Sequence, residues 1–170
     1  TDEAFKYLQG IKVLYMSFCD EITDKAFEYL KGDKDFLEIH TLNIEKCKKI
    51  TDKTFKLLKG IKYLNMSYCN QETITDEGFK NLKGIEKLKI PLCCQTTITD
   101  EAFKYLKGIK YLDISYCNQF TDKAFENLKK QNQQFLRIDT LKMENCYQKT
   151  ITDKAFKIFK NVRILDISRC

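Results

Sequence analysis

The stretch TDEAFKYLKGIKYLDISYC, residues 99–117, decides the fold, because closely related strings recur along the 170 residues. Each copy has a Thr-Asp pair with Phe three residues after the Asp, and the copies begin at Thr1, Thr23, Thr51, Thr75, Thr99, Thr121 and Thr152. A unit of roughly 20 to 30 residues cannot bury its own apolar face, so such units stack into a solenoid. The sequence therefore predicts one domain of about seven repeats over residues 1–170. Because the pattern is already under way at Thr1, we expect a fragment of a longer array.

The first half of each repeat is predicted to be a short helix. Ala102, Phe103, Leu106 and Ile109 follow the spacing of one helical stripe. Thr and Asp at the start suit the free N–H groups and the positive end of a helix. The helices are expected to end at a residue that tolerates a left-handed backbone. These end positions are Gly10, Gly32, Gly60, Gly84 and Gly108, with Asn161 in the last repeat.

The second half of each repeat is predicted to be a short strand. Ile109, Leu112 and Ile114 alternate with other residues, as in a strand with one buried face. Since every strand leaves its own helix in the same direction, the strands should pair in parallel. The predicted fold is an α/β horseshoe with a concave parallel sheet and short convex helices. Repeats two and six carry insertions, around residues 33–38 and 131–137, which we place on one rim.

The repeat resembles the cysteine-containing leucine-rich repeat found in F-box/leucine-rich-repeat proteins, through the string L-x-x-L-x-L-x-x-C followed by I-T-D. The clearest copies are Ile61-Leu64-Met66-Cys69, Ile109-Leu112-Ile114-Cys117 and Val162-Leu165-Ile167-Cys170. The resemblance covers the whole chain and implies a leucine-rich-repeat solenoid. It also implies a non-catalytic module that recognises substrates for a ubiquitin ligase, with ligase subunits recruited through an F-box outside this segment. The implied setting is intracellular, cytoplasmic or nuclear, with reduced thiols.

Cysteines form a column with one member per repeat. They are Cys19, Cys47, Cys69, Cys93, Cys117, Cys146 and Cys170, and only Cys94 falls outside the register. A small, weakly polar side chain packs well at the end of a strand, so we interpret the column as a structural thiol ladder. Disulfides between neighbouring repeats are the alternative, since parallel strands lie about 4.8 Å apart.

The residues that enzymes and metal sites require are missing from the sequence. There is no closely spaced pair of zinc ligands, and Cys93 and Cys94 are adjacent. His40 is the single histidine, and we interpret it as an exposed contact residue. The glycines are spaced one per repeat rather than in a phosphate-binding loop. We therefore predict no enzyme, no metal and no cofactor. No apolar run reaches the roughly 20 residues that span a bilayer.

The variable strand residues are predicted to line the concave face. Tyr and Phe are frequent there, and rigid aromatic side chains are typical of protein-binding hot spots. The predicted contact residues are Tyr15, Phe18, Tyr63, Asn65, Tyr68, Lys89, Tyr111, Asp113, Tyr116, Asp166 and Arg169. Cross-strand aromatic packing that only stabilises the sheet is the alternative. We predict a protein or peptide partner, either as a ligase adaptor or as a general interaction scaffold or host-directed effector.

A second surface lies on the predicted convex side. The formal net charge is +6, and lysines recur on the helices in two columns. These columns are Lys6, Lys56, Lys80, Lys104 and Lys157, and Lys31, Lys59, Lys83, Lys107, Lys129 and Lys160. Such stripes can hold nucleic acid or anionic lipid. They are mixed with glutamates and nearly lack arginine, which favours a solvated helix face.

Overall fold

The computed structural model of the protein describes residues 1–129 and 138–170, and its main feature is one parallel sheet of seven strands. The strands are β1 Val13–Tyr15, β2 Thr41–Asn43, β3 Tyr63–Asn65, β4 Lys87–Lys89, β5 Tyr111–Asp113, β6 Thr140–Lys142 and β7 Ile164–Asp166. Their order in the sheet is their order in the chain. Each strand therefore pairs only with the preceding and the following repeat, which makes the protein an α/β leucine-rich-repeat solenoid.

A short helix precedes each strand, on the opposite side of the core. The α-helices are α1 Asp24–Lys31, α2 Asp52–Phe55, α3 Asp76–Phe79, α4 Asp122–Leu128 and α5 Asp153–Ile158, and the 3₁₀ helices are Asp2–Leu8, Lys80–Leu82 and Asp100–Tyr105. In every repeat except the first, the Thr of the Thr-Asp pair caps the N-terminus of the helix. Its hydroxyl accepts a hydrogen bond from the backbone N–H two residues later, as Thr51 does from Lys53 at 3.2 Å. The helix start predicted from the sequence is therefore confirmed.

The helices are narrower and shorter than an apolar stripe alone would suggest. In the fifth repeat the predicted helix is a 3₁₀ helix that ends at Tyr105. Packed α-helices need 8–10 Å, whereas neighbouring strands are about 4.8 Å apart. Single turns and 3₁₀ segments pack more closely than α-helices and so bring the spacing of the helices nearer to that of the strands. Because the helical side of each repeat is still wider than the strand side, the stacked repeats curve, with the sheet on the concave face.

The glycine predictions need a correction. Gly32 ends α1 directly, with φ +59°, and its N–H donates to the carbonyls of Glu28 and Tyr29. Gly60 also has a positive φ of +89°, but α2 has already ended at Phe55, so this glycine shapes the turn into the strand. Asn161 is not among the residues with a positive φ. Its expected role as a left-handed cap is therefore wrong: the chain enters β7 through a turn that keeps an ordinary backbone there.

The core runs continuously between sheet and helices. The Phe of the Thr-Asp motif is fully buried at Phe27, Phe55, Phe79, Phe103 and Phe125, and the central strand leucine is fully buried at Leu42, Leu64, Leu88, Leu112 and Leu141. In the last repeat the equivalent Phe156 and Leu165 are exposed by 43% and 36%. The core is therefore less complete at the last repeat, whereas the equivalent Phe5 of the first repeat is 9% exposed.

The two predicted insertions have different outcomes. Residues 33–38 form turns that bring Leu37 into the core, where its N–H donates to the carbonyl of Leu57 at 2.9 Å. Phe36 stays partly exposed beneath the amine of Lys59. The insertion around residues 131–137 lies outside the described residues.

Candidate binding surface

The concave face consists of three columns that run across all seven repeats. Column one is Val13, Thr41, Tyr63, Lys87, Tyr111, Thr140 and Ile164, and column two is Tyr15, Asn43, Asn65, Lys89, Asp113, Lys142 and Asp166. Column three follows the strands and is Phe18, Lys46, Tyr68, Leu92, Tyr116, Asn145 and Arg169. The pairing registers of the first two columns are those that the repeat alignment predicts. The sheet thus holds the predicted contact residues in fixed rows.

All seven residues of column three have a left-handed backbone. Their φ angles lie between 55° for Asn145 and 64° for Tyr116. In this turn the N–H continues the ladder into the next repeat: Tyr68 donates to the carbonyl of Pro91 at 3.0 Å, and Tyr116 to that of Glu144 at 2.8 Å. A residue with a Cβ pays about 1–2 kcal/mol for this conformation, and only Gly or Asn adopts it routinely. The aromatic residues here are therefore not explained by backbone preference.

Two lysines are sandwiched between aromatic rings on this face. The amine of Lys46 lies 4.6 Å from the ring centres of both Phe18 and Tyr68. The amine of Lys87 lies 5.2 Å from the ring centre of Tyr63 and 4.5 Å from that of Tyr111. Cation–π contacts of this kind hold the rings in place across neighbouring repeats. They stabilise the sheet and preorganise an aromatic surface at the same time.

The acidic and amide residues of column two are tied into the turn after the strand. Asp113 Oδ1 accepts bonds from the backbone and hydroxyl of Ser115, at 3.1 and 2.8 Å, and Asp166 does the same with Ser168. Asn65 makes the equivalent bonds to Ser67 and is only 6% exposed. Asn65 is predicted as a contact residue, but it is buried here and its amide oxygen closes the turn, as Asx residues commonly do, so it offers a partner little surface.

The aromatic residues differ in exposure. Tyr15 and Phe18 are 66% and 62% exposed, and Tyr68 and Tyr116 are exposed at 42% and 36%. Tyr63 and Tyr111 are half-buried. Burial, followed by nearby negative charge, raises the pKa of both hydroxyls. Near neutral pH these two hydroxyls therefore stay protonated and can donate to a ligand.

Tyr147 belongs to this surface and was not predicted from the sequence. It is 65% exposed, and its hydroxyl lies 2.6 Å from Asn145 Oδ1. Its backbone N–H donates to Asn118 Oδ1 of the preceding repeat at 2.7 Å. Its position in the repeat could have indicated this role. Tyr147 directly follows the repeat cysteine, and the residues at the same position in other repeats include Asn118 and Cys94. Arg169 is exposed on the last repeat.

The cysteine column lies behind the third column, and its thiols are hydrogen-bond donors. The Sγ atoms of Cys47, Cys69, Cys93 and Cys117 lie 2.9–3.2 Å from backbone carbonyls of the preceding repeat. Burial raises the pKa of Cys47 to about 11 and that of Cys69 to about 12. Cys146 is also buried, whereas Cys19 is partly exposed and Cys170 exposed at the two ends of the column. The interior members are therefore protonated and shielded from reagents.

No group of three or more metal-ligating side chains occurs within residues 1–129 and 138–170. The side chain of His40 is exposed. Its hydrogen bonds are made by the backbone, such as the one from its N–H to the carbonyl of Lys12 at 2.8 Å. The same residues contain no helix that is both long and apolar enough to cross a membrane.

Four of the lysines in the two convex columns pair with glutamates: Lys31, Lys80, Lys104 and Lys129. Lys80 lies 2.5 Å from Glu77, and Glu101 contacts both Lys104 and Lys123. These pairs reduce the positive field on the helical side. The structure thus adds a reason to interpret this side as a solvated face.

Comparison with solved structures supports the fold. A chain in the crystal structure of the Rad7 and Elc1 complex in yeast superposes with a TM-score of 0.69 and 17% identity, over 93% of this chain and 40% of that chain. A chain in the crystal structure of the TLR13–ssRNA13 complex superposes with a TM-score of 0.62 and 20% identity, over 86% of this chain and 20% of that chain. The protein thus spans less than half of each, and at these identities the likeness shows the fold alone. No protein-family model and no curated protein matches the sequence.

Proposed function

We propose that the protein is a non-catalytic interaction module that binds a protein or peptide on its concave face. The observation that carries this proposal is the placement of Phe18, Tyr68 and Tyr116 at left-handed backbone positions where Gly or Asn would cost less. Exposed side chains kept at an energetic cost are typical of functional surfaces. Rigid aromatic rings also bury a large area on binding with little loss of side-chain entropy.

The finer proposal is that the partner is a substrate of a ubiquitin ligase for which this protein is the adaptor. It rests on the cysteine-containing subtype of the repeat, which the thiol ladder reproduces in every unit. A chain of similar fold occurs in a complex with Elc1. The adaptor role requires an F-box, or another means of recruiting ligase subunits, outside residues 1–170. A general scaffold or a host-directed effector shares the concave surface but not this requirement.

Affinity capture with the full-length gene product tests the proposal. The decisive variant carries Tyr68→Ala and Tyr116→Ala, which removes two exposed rings from the centre of the concave face. The matched control is Tyr7→Ala, which removes a ring that is 79% exposed on the first helix. Loss of a hot-spot residue costs about 2 kcal/mol or more, so we expect retention of the partner to fall at least about tenfold in the double variant only.

The outcomes separate the alternatives. Recovery of ligase subunits together with a protein that depends on Tyr68 and Tyr116 supports the adaptor role, and recovery of that protein without them supports a scaffold. Capture that disappears after nuclease treatment and ignores both tyrosines would instead favour nucleic-acid binding through the convex lysines. That result would contradict the proposed function.

A further inference from the structure

Three lysines of the concave face are half-buried without a carboxylate partner. Six lysines in the described residues are half-buried: Lys31, Lys46, Lys87, Lys89, Lys129 and Lys142. Three of these pair with an acid: Lys31 with Glu28, Lys129 with Glu126 and Lys142 with Asp166. The other three, Lys46, Lys87 and Lys89, make no ion pair within residues 1–129 and 138–170, and all three lie on the concave face.

The surroundings of these three lysines compensate their charge only in part, because Glu45 and Asp113 lie near them without forming an ion pair. The rings beside Lys46 and Lys87 attract the amines through their π faces, but they carry no net charge. Lys89 stands between Asn65 and Asp113 in the sheet. Asp113 already accepts two bonds from Ser115. Partial burial of an ammonium group is unfavourable unless an anion accompanies it, so this part of the surface is complementary to an anion.

We infer that Lys46, Lys87 and Lys89 receive the carboxylates of an acidic peptide segment of the partner; this inference rests on the proposed function of the concave face. The rings of Tyr68 and Tyr111 flank the three amines and pack against the remainder of the segment. We name these three lysines the anion floor.

Spacing on the sheet fits an extended acidic peptide. Lys87 and Lys89 are two residues apart on β4, which corresponds to about 7 Å along the strand. Lys46 lies two repeats away, about 10 Å across the sheet for strands spaced by about 4.8 Å, and it is also displaced along the strand direction because it follows β2. Acidic side chains that point to the same side of an extended peptide recur every two residues, at about 7 Å. Two carboxylates of one segment can therefore reach Lys87 and Lys89 together, and a third reaches Lys46 where the segment crosses the sheet towards β2.

The charges around the anion floor disfavour a nucleic acid. Glu45 and Asp113 lie on the same face, and Glu144 and Asp166 follow on the later repeats. A continuous chain of phosphates would pass over these four acids, whereas a short peptide comes close to only two of them, Glu45 and Asp113. The three lysines are also point charges, and the one arginine of the three columns, Arg169, lies on the last repeat, away from them. Bidentate arginine contacts to phosphate are therefore not available at the anion floor.

The test is an NMR titration of the protein with its lysines converted to ¹³C-dimethyl-lysine, which retains the positive charge. The probes are acetyl-Glu-Ala-Glu-Ala-Glu-amide, the same peptide with Gln in place of Glu, inorganic phosphate and a single-stranded oligouridylate. We expect the Glu peptide to shift the signals of the anion floor saturably and to leave Lys31 and Lys142 unchanged. We expect the Gln peptide to bind at least about tenfold more weakly.

A pair of variants controls for folding. Lys87→Met with Lys89→Met removes two charges but keeps the apolar stems, and Lys31→Met removes a half-buried lysine that is already paired. We expect the first variant to lose at least about tenfold in affinity for the Glu peptide while its circular dichroism spectrum remains that of the folded protein, and the second to bind normally.

Several results would overturn the inference. These are equal binding of the Gln peptide, shifts spread over the convex lysines, or saturation of the same signals by phosphate or oligouridylate at lower concentration than by the Glu peptide. The proposed function is judged separately: if a captured partner still depends on Tyr68 and Tyr116 but is retained by the Lys87/Lys89 variant, the interaction module stands and the anion floor does not.

Discussion

The carboxylate of Asp52 accepts two hydrogen bonds from Thr75 in the next repeat, one from its backbone N–H at 3.0 Å and one from its hydroxyl at 2.6 Å. The same pair of bonds joins Asp2 to Thr23, Asp24 to Thr51, Asp76 to Thr99, Asp100 to Thr121 and Asp122 to Thr152. Each Thr therefore caps its own helix and is held by the preceding repeat. The Thr-Asp pair forms an aspartate ladder that connects the helices along the solenoid.

Removing one rung of this ladder should destabilise the protein. Asp52→Ala eliminates two bonds to a charged acceptor, and such bonds contribute about 1.5–3 kcal/mol. We expect the free energy of unfolding to fall by about 2–3 kcal/mol in urea denaturation followed by circular dichroism.

Asp153 offers a matched control for Asp52. It occupies the same position at the start of α5 but has no Thr partner within the described residues. Asp153→Ala should cost at most about 1 kcal/mol, the value of an acid at a helix N-terminus. Equal losses in the two variants would mean that the acid acts only through its own helix.

The aspartate ladder shows where sequence reasoning reached its limit. The spacing of Thr51 and Phe55 predicts the helix start and its buried face, because both are properties of one repeat. The partner of Asp52 lies in the next repeat, and a bond between repeats leaves no periodic signature of its own. The same holds for the burial of Asn65, whose amide contacts Glu45 of the preceding repeat, a contact that the alternation of one strand does not predict.

The left-handed backbone at column three leads to an unusual expectation for Tyr116. Tyr116→Asn places at φ 64° a residue that adopts the left-handed backbone more readily than Tyr, and the sixth repeat already has Asn145 at this position. We expect the free energy of unfolding to stay unchanged or to rise by up to about 1 kcal/mol. Since the ring is lost, partner binding should weaken in the same variant.

Tyr111→Asn is the comparison for Tyr116→Asn. Tyr111 lies within β5, is half-buried and supports the amine of Lys87 at 4.5 Å. Asn is unfavourable in strands, so this change should lower the free energy of unfolding by about 1–2 kcal/mol. If thermal or urea unfolding ranks the two variants in the reverse order, column three is not under backbone strain.

Cys94 should be the thiol that reacts fastest. It is exposed, and its contact with the Cys117 thiol lowers its pKa to about 7, although partial burial opposes this. With Cys94 protonated, the two thiols donate to the carbonyls of Tyr116 and Ile90, both at 3.1 Å. Once Cys94 ionises, the Cys117 proton can turn towards the thiolate. This contact and burial raise the pKa of Cys117.

Iodoacetamide labelling followed by mass spectrometry checks this order. We expect Cys94 to be alkylated first at pH 7, with Cys47, Cys69 and Cys93 protected until the protein unfolds. Cys117→Ala removes the donor, so the pH midpoint of Cys94 labelling should rise towards the ordinary thiol value of about 8.5. An unchanged midpoint in this variant would show that Cys117 has no influence on Cys94.

Glu38, in the insertion of repeat two, provides a prediction about pH. Its two carboxylate oxygens each lie 2.5 Å from an amine, that of Lys12 and that of Lys34. Hydrogen bonds from Lys12 and then Lys34 lower the pKa of Glu38 to about 2. Since the folded pKa lies below the unfolded value of about 4.3, the stability contributed by this group is complete above the unfolded pKa and is lost as the pH falls towards about 2.

The midpoint for Glu38 can be read from the ¹³C shift of its carboxyl group during an acid titration. Lys12→Met should raise this midpoint, because one of the two ammonium donors is removed, whereas Lys25→Met leaves both donors in place and should not change it. A high salt concentration should also raise the midpoint, since both lysines are exposed and their charges are screened. A midpoint that responds equally to Lys12→Met and Lys25→Met would indicate a general field of the basic protein instead of the two contacts.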